Sequence, residues 1–230
     1  SYNFKSNTDT EVILALIDFF GFHESIKKLE GMFSIAVYDR HLNKMYFARD
    51  RFGEKPLYYY YNTNNKLFFF ASDLLPIRKT NLINKKINEG SLDLFFKYNY
   101  VPSPYSIYEN IYKLEPGLIL EYDISSHKKN EIIFYNKINL FSKQKLDLSF
   151  NEASNQLENL LINKIEDQLI SDVPLGSFLS GGVDSTLITS IISKNFNNNI
   201  DAFTIGFQND DFDETVKASK IAKHLNINHH

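Results

Sequence analysis

The short segment SGGVDS, residues 180–185, holds the residue types that bind an anion. Gly181 and Gly182 let the backbone turn sharply and let a ligand approach where a Cβ would otherwise stand. Ser180 and Ser185 offer hydroxyl donors on either side of the glycines. Because the segment opens directly into a helical pattern, its backbone N–H groups lie at a helix start, which predicts a phosphate or pyrophosphate site.

Asp184 is the unexpected member of this segment. A carboxylate repels phosphate unless a divalent cation lies between them, so Asp184 favours a nucleotide bound with Mg²⁺ over a bare phosphate. The segment has neither the GxxxxGK[ST] spacing nor the lysine of a Walker loop. The alternative interpretation is an ordinary glycine turn in which Asp184 caps the helix.

The elements around this segment alternate between strand and helix. Ser149 followed by Glu152 forms a capping-box pattern, which predicts the start of a long helix. The elements predicted after it are a strand, a helix, a strand and a helix, at residues 177–180, 184–194, 202–207 and 213–225. This order predicts a parallel sheet with helices on its faces, and hence an α/β domain over residues 147–230.

The hydrophobic pattern of residues 1–146 has other periods. Apolar residues recur at helical spacing from Ile13 to Phe20, and Asp9 or Thr10 is placed to cap that helix. The period then changes to two in aromatic and β-branched segments, which predicts two successive hairpins. Two further strands, LILEYD and EIIFY, flank the predicted turn ISSHKKN. Residues 1–146 are therefore predicted to be α+β with antiparallel sheets.

Three further groups have ordinary structural interpretations. Two aromatic runs are interpreted as cross-strand core pairs, and the charged residues around a turn as local ion pairs. The third group is a pair of adjacent histidines without a second cluster of metal ligands. They are, in that order, Tyr58–Tyr61 with Phe68–Phe70, Arg49 with Asp50 and Arg51, and His229 with His230. No metal site is predicted at the histidine pair.

The composition excludes several classes of protein. The 230 residues include 25 basic and 28 acidic ones, a net charge of −3, so neither nucleic acid nor an anionic membrane is an expected partner. Cysteine is absent, which removes disulfide frameworks and thiolate metal sites and favours a reducing compartment such as the cytoplasm. The longest apolar runs are too short for a membrane span. Both ends of the sequence are expected to be cut.

Two separate sets of motifs resemble those of one family. The stretch SDVPLGSFLSGGVDSTLITSII resembles the pyrophosphate loop of the N-type ATP pyrophosphatases, and specifically the synthetase half of the glutamine-hydrolysing asparagine synthetases. The stretches TDTEVILALIDFFG, LEGMFSIAVYDRHLNKMYFARDRFGEKPLYYY and IYKLEPGLIL are similar, in the same order, to the later part of that family's N-terminal glutaminase domain. Glucosamine-phosphate synthases and amidophosphoribosyltransferases share only the glutaminase half, so the SGGVDS segment argues against them.

The resemblance covers nearly the whole chain and implies both its folds and its ATP contacts. It implies an Ntn-type glutaminase domain over residues 1–146 and the first part of an ATP-pyrophosphatase domain, of the adenine nucleotide alpha hydrolase type, over residues 147–230. The loop would hold the pyrophosphate end of ATP, with Asp184 helping to place Mg²⁺. The residues implied to bind or border ATP are Phe178, Leu179, Ser180, Gly181, Gly182, Asp184, Ser185 and Ile205.

In the glutaminase half the resemblance implies one substrate contact. Asp9 occupies the place of the aspartate that contacts the amino group of glutamine, although Asn7 and Thr8 replace the usual glycine and serine before it. The interpretation of Asp9 as a helix cap stays open. The family's catalytic cysteine and the segments that complete both active sites have no counterpart here, so the chain is expected to be an inactive fragment across a domain junction.

The resemblance implies three chemical steps for the parent enzyme, which is also expected to be a homodimer. Glutamine is hydrolysed, aspartate and MgATP form β-aspartyl-AMP and pyrophosphate, and ammonia then converts the adenylate to asparagine and AMP. One alternative keeps the architecture and adenylates another carboxylate, as in lactam-forming synthetases. Another is a vestigial ATP-binding polypeptide without catalysis.

Overall fold

The computed structural model describes residues 2–136, 145–196, 200–207 and 213–230. The chain divides into two units, Ser1–Lys143 and Gln144–His230, and each has hydrophobic clusters of its own. The strands described in the first unit are β1 (Ser34–Asp39), β2 (Lys44–Arg49), β3 (Tyr58–Asn62), β4 (Leu67–Ala71), β5 (Ile111–Lys113), β6 (Leu118–Asp123) and β7 (Lys128–Ile133). Its described helices are α1 (Asp9–Phe20), α2 (Phe22–Lys28), α3 (Leu74–Lys79) and α4 (Glu89–Tyr98).

These strands form two antiparallel sheets. One has the order β1-β2-β6-β7 and the other the order β4-β3-β5. The two predicted hairpins, β1–β2 and β3–β4, are confirmed, but each lies in a different sheet. The aromatic runs face each other across β3 and β4, with Tyr60 opposite Phe69 and Tyr59 opposite Phe70, so the predicted cross-strand pairs are also confirmed. The turn predicted at residues 124–130 is shorter, because β7 already begins at Lys128 opposite Asp123.

The strands alternate their side chains between different hydrophobic clusters. Phe47 of β2 and Tyr59 of β3 share one cluster, so the two sheets pack face to face there. Tyr46 and Ala48 of β2 instead join a cluster with α2, and Tyr60 of β3 joins another with α3. Helices therefore cover the outer face of each sheet. The prediction of an α+β first part with antiparallel sheets is confirmed.

The start of α1 differs from the prediction. Thr8 takes the N-cap position and Asp9 is the first helical residue, so neither Asp9 nor Thr10 caps the helix. Glu11 instead accepts bonds from the backbone N–H groups of Lys5 and Ser6 at 2.9 and 2.7 Å, as well as from the Ser6 hydroxyl. This hydroxyl and the two amides lower the pKa of Glu11. The side chain of Glu11, in the first turn of the helix, thus fixes the segment before the helix.

The turn after β2 is fastened to the main chain. Asp50 is 1% exposed, and its carboxylate accepts from the backbone N–H groups of Phe52, Glu54 and Lys55 at 2.9–3.0 Å. Arg49 donates to three backbone carbonyl oxygens at 2.5–2.8 Å. In place of the expected local ion pairs, Arg49 and Asp50 therefore bond main-chain groups, and Arg51 also donates to two backbone carbonyl oxygens.

The second unit has the predicted alternation of helix and strand. Its described elements are α5 (Phe150–Gln168), β8 (Gly176–Phe178), α6 (Val183–Asn195), β9 (Asp201–Phe203) and α7 (Thr215–Leu225). β8 and β9 pair in parallel, with Ser177 beside Ala202. Residues 228–230 add a third parallel segment, because Ala202 N–H donates to the Asn228 carbonyl and His230 N–H donates to the Ala202 carbonyl, both at 2.9 Å. Both strands are shorter than predicted, and residues 204–207 lie beyond β9.

Helices α6 and α7 pack on the same side of these strands. Ser177 bonds Thr189 of α6 through their hydroxyls at 2.7 Å, and Ala202 joins a buried cluster with Ala218 of α7. On the other side, Phe178 of β8 is 80% exposed. In the described residues, the predicted coverage by helices is therefore found on one face of the parallel strands only. Parallel strands are normally covered on both faces.

The capping box at the start of α5 is present as predicted. The Ser149 hydroxyl accepts from Glu152 N–H, and the Glu152 carboxylate accepts from Ser149 N–H at 2.9 Å. We expect Ser149→Ala to lower the free energy of unfolding of the second unit by about 1 kcal/mol, because the N-terminal amides of the helix lose their acceptor. Urea unfolding followed by circular dichroism measures this. Ser154→Ala, an exposed change inside α5, is the control, and an equal loss there would contradict the prediction.

Candidate functional site

The SGGVDS segment leaves β8 at its carboxyl end. Leu179 N–H donates to the Phe203 carbonyl at 2.9 Å, which extends the pairing with β9 by one residue. The Leu179 side chain is 1% exposed and packs with Ala202 and Ala218. Leu179, one of the predicted ATP contacts, is therefore buried, and its N–H and its carbonyl oxygen are both bonded within the protein. The carboxyl ends of parallel strands are where ligands bind in open α/β sheets.

The two glycines of the loop have different roles. Gly181 has φ +78, in the left-handed region that favours glycine. A Cβ there would lie 2.8 Å from Lys217 Cβ and 3.3 Å from Ala218 N, at the start of α7. Gly182 has an ordinary φ of −74, and a Cβ there would meet Ser180 Oγ at 3.3 Å. Gly181 thus lets the loop lie against α7, whereas Gly182 keeps the helix start open.

The two loop hydroxyls lie together. Ser180 Oγ and Ser185 Oγ are 2.9 Å apart, and Ser180 N–H donates to Ser185 Oγ at 3.2 Å. Gly182 N–H donates to Ser180 Oγ at 3.3 Å. Both serines are half-buried, and their hydroxyls lie beside the backbone amides of the turn. A phosphate oxygen can accept from hydroxyls and amides arranged in this way.

Helix α6 begins with its first amides uncapped. Gly182 is the N-cap residue, and no described side chain caps the helix. Asp184 is the second helical residue and is exposed, so the alternative in which it serves as the helix cap is wrong. The start of α6 therefore presents N–H groups together with the exposed carboxylate of Asp184.

A pocket of about 550 Å³ lies on the exposed side of β8 and β9. Phe178 and Ile205, predicted from separate parts of the sequence, both line it and are 80% and 70% exposed. Phe203 and His230 line it as well, with their rings stacked at 5.1 Å between centroids. The pocket therefore offers aromatic and apolar surface to a flat ring at the edge of the loop. Sequence reasoning missed Phe203 and His230 as lining residues.

Two further polar residues support the loop from behind. The Thr204 hydroxyl donates to the Leu179 carbonyl at 2.5 Å, and the same oxygen lies 2.7 Å from His229 Nε2. Sequence reasoning noted the two adjacent histidines but considered them only as metal ligands. No signal in the sequence marked His229 as a support for the loop, because its contact with Thr204 depends on a third parallel segment beside β9.

The predicted glutamine contact, Asp9, lies in the other unit. It is exposed at the first position of α1, and its Oδ1 accepts from the Thr10 hydroxyl at 3.4 Å. Its carboxylate is thus exposed and does not cap the helix.

The described residues contain no group of three or more histidine, aspartate and glutamate side chains that could hold a metal ion. Mg²⁺ at a nucleotide site commonly takes one or two carboxylates together with phosphate oxygens and water. The single exposed carboxylate of Asp184 beside the loop fits an ion held in that way. Within the described ranges no helix has the length and apolarity needed to cross a membrane.

Family comparisons agree with these two units. The model of the glutamine amidotransferase domain matches residues 1–135, and the model of asparagine synthase matches residues 156–230. The chain therefore belongs to the glutamine amidotransferase family, with an asparagine synthase region following that domain. The antiparallel sheets covered by helices in the first unit are consistent with an Ntn-type amidotransferase fold.

Several relatives within this class are described as asparagine synthetases. A Methanocaldococcus jannaschii protein described as asparagine synthetase [glutamine-hydrolyzing] 2 is 33% identical, over 98% of this chain and 43% of its own length. Asparagine synthetase [glutamine-hydrolyzing] 1 of Bacillus subtilis is 31% identical, over 98% of this chain and 34% of its own. The chain thus spans less than half the length of these relatives. A solved B. subtilis glutamine phosphoribosylpyrophosphate amidotransferase aligns with a TM-score of 0.39 at 13% identity, over 100% of this chain and 40% of its own.

Proposed function

We propose that this chain is part of an enzyme that makes L-asparagine from L-aspartate, using ATP and ammonia taken from glutamine. Residues 1–146 would form the class II glutamine amidotransferase domain and residues 147–230 the first part of the ATP-binding synthetase domain. The observation that carries the proposal is the SGGVDS loop at the carboxyl ends of parallel strands, beside a pocket of about 550 Å³. A cytoplasmic, homodimeric enzyme remains part of the proposal.

ATP would bind with its two ends on different parts of this site. The adenosine would lie in the pocket between Phe178 and Ile205, with Leu179 adjacent to Phe178 in the chain. The pyrophosphate end would accept hydrogen bonds from the hydroxyls and amides of the loop. The residues that would supply them are Ser180, Gly181, Gly182 and Ser185. Mg²⁺ would be held by the phosphates and by the carboxylate of Asp184. When bound, it would neutralise negative charge on the phosphates.

The proposed reaction places developing charge where the loop has donors. The side-chain carboxylate of aspartate attacks the α-phosphorus of ATP, the bond to the bridging oxygen breaks, and pyrophosphate leaves. Negative charge grows on this leaving group, and preorganised N–H and O–H donors stabilise it most where they already point at it. The adenylate is then β-aspartyl-AMP, and ammonia displaces AMP from it to give asparagine.

The glutamine-hydrolysing half of the proposal rests on the first unit. Asp9 would contact the amino group of glutamine, and its exposed carboxylate supports this role. A nucleophilic cysteine is not among these 230 residues, so the proposal assigns glutamine hydrolysis to the whole natural protein. If the synthetase half acts independently of glutamine hydrolysis, free ammonia should replace glutamine as the nitrogen donor.

Product analysis of the full natural protein tests the proposal. With MgATP, glutamine and L-aspartate, we expect AMP, pyrophosphate and asparagine in equal amounts, and no AMP when aspartate is left out. Asp184→Asn should reduce AMP formation by about a hundredfold, because the ion loses its carboxylate partner. Asp167→Asn, at an exposed carboxylate of α5, is the matched control.

Three results would count against this function. AMP formed at the same rate without aspartate would point to another carboxylate acceptor, as in lactam-forming relatives. ADP in place of AMP would contradict attack at the α-phosphorus. ATP binding without any turnover would favour a vestigial polypeptide.

A further inference from the structure

The imidazole of His229 lies between two elements that flank the SGGVDS loop. Its Nε2 is 2.7 Å from the Oγ1 of Thr204, which follows β9. Its Nδ1 is 3.1 Å from the Oγ of Ser219, which belongs to α7. One ring therefore joins the strand side of the site to the helix side.

The directions of these hydrogen bonds follow from elementary chemistry. Thr204 Oγ1 lies 2.5 Å from the Leu179 carbonyl oxygen, which can only accept, so the one hydroxyl proton of Thr204 is used there. Thr204 Oγ1 must then accept from His229, and Nε2 carries the ring proton. In the neutral ring the other nitrogen accepts, so Ser219 donates to Nδ1. The bonds run in one direction, from Ser219 through His229 and Thr204 to Leu179.

Both ends of this chain of bonds touch the base of the loop. Leu179 is the residue directly before Ser180, so the direction of its carbonyl group sets how the backbone enters the loop. At the other end, Gly181 packs against α7 at Ala218, the residue beside Ser219. A change in the ring would therefore affect both the entry of the backbone into the loop and the contact of the loop with α7.

The main chain holds His229 in this position. Its neighbours Asn228 and His230 exchange backbone hydrogen bonds of 2.9 Å with Ala202 on β9. His230 N–H and carbonyl are both used, the latter accepting from Thr204 N–H at 2.9 Å. The ring is thus fixed by strand pairing and has little freedom to relax when a partner is removed.

We infer that His229 is a positioning residue for the anion-binding loop: it directs the Thr204 hydroxyl at the Leu179 carbonyl and so fixes the entry into Ser180 and Gly181. The inference rests on the proposed function where it concerns MgATP. The part of the inference about backbone order applies to the loop itself and does not depend on the proposed function. His229 does not line the pocket and is not assigned any contact with the reacting atoms.

Three substitutions of His229 separate its two nitrogens. Glutamine can place an amide N–H near the position of Nε2 and so keep the bond to Thr204. Asparagine reaches only the position of Nδ1, and alanine reaches neither. Positioning through Thr204 therefore predicts that His229→Gln behaves like the natural protein, whereas His229→Asn and His229→Ala do not. His224→Gln, at an exposed histidine of α7, is the matched control.

The first measurement is hydrogen–deuterium exchange of the ligand-free full natural protein, read on peptides covering residues 178–187. We expect exchange about three- to tenfold faster in His229→Ala and His229→Asn, the factor that one lost hydrogen bond supplies. Thr204→Val should give the same increase, and combining it with His229→Ala should add little, because both act on one chain of bonds. Peptides from α5 should be unchanged.

The second measurement is the KM for MgATP and kcat of AMP formation in the same variants. KM should rise about three- to tenfold in His229→Ala and His229→Asn and stay near its natural value in His229→Gln. Unchanged exchange in His229→Ala, or equal effects of all three substitutions, would overturn the inference. If the natural protein forms no AMP but the exchange pattern is as expected, the proposed function fails while the positioning role stands.

Discussion

Gly181→Ala is expected to reduce MgATP-dependent AMP formation by about a hundredfold or more. A side chain at φ +78 is strained by itself, at a cost of about 1–3 kcal/mol. The new Cβ would also stand 2.8 Å from Lys217 Cβ and 3.3 Å from the backbone nitrogen of Ala218. Since a helix backbone cannot give way as a side-chain end can, the loop must move, and misplacement by about 1 Å can cost a hundredfold in rate.

The measurement is formation of labelled AMP by the full natural protein, together with binding of MgATP. Gly182→Ala tests the same loop without the strained φ, and its effect should be much smaller because only Ser180 Oγ lies near the added Cβ. Gly90→Ala, at an ordinary helical glycine in α4, should leave both readouts unchanged. Circular dichroism confirms that each variant is folded. An affinity of Gly181→Ala within twofold of the natural protein would refute the role given to this glycine.

The second large effect is expected at Asp50. Replacing this buried carboxylate by alanine leaves the N–H groups of Phe52, Glu54 and Lys55 without their acceptor inside the protein. An unsatisfied buried donor costs about 1–3 kcal/mol, so we expect Asp50→Ala to lower the free energy of unfolding of the first unit by about 3 kcal/mol or more. Asp93→Ala, at an exposed carboxylate of α4, should change it by less than about 0.5 kcal/mol.

Asp50 also gives the first unit a pH dependence. Burial on its own would raise the pKa of this carboxyl, but the amides of Lys55, Glu54, Phe52 and Gly53 together hold it below the usual 3.8. A lowered pKa means that the carboxylate contributes stability above the unfolded pKa, and that this contribution is lost as pH falls through the folded pKa. Urea unfolding between pH 7 and pH 2 should show the loss in the natural protein and a shallower one in Asp50→Ala. Equal slopes would show that other groups carry the acid sensitivity.

Local sequence patterns predicted elements well where neighbours in the chain decide the structure. The capping box at Ser149 and Glu152 and the hairpin formed by Tyr58–Asn62 and Leu67–Ala71 are both made by residues close in sequence. The division of the two hairpins between separate sheets could not be predicted, because it depends on pairing with β6 and β5 much later in the chain. Asp9 failed as a cap for a local reason, since Thr8 takes the N-cap position and Glu11 bonds the segment before the helix.

The candidate site divides in the same way. The loop residues from Ser180 to Ser185 are contiguous, so their types and spacing alone indicated an anion site. The resemblance added Phe178 and Ile205, and the structure places both in one pocket. The bond from His229 to Thr204 joins side chains from different segments, and no pattern within either segment predicts it. Support behind a site is therefore harder to read from sequence than the site itself.

The third parallel segment beside β9 has a consequence for how the protein is made. The strands described in the first unit all precede residue 134, so they leave the ribosome before the second unit does. The anion loop, in contrast, emerges well before residues 228–230, which pair with Ala202 and carry the ring that holds its base. A nascent chain that has passed the loop but not these residues would carry every ligand-contacting group of the loop in an unsupported form. Nucleotide binding by the loop should accordingly appear only after residues 228–230 have left the ribosome.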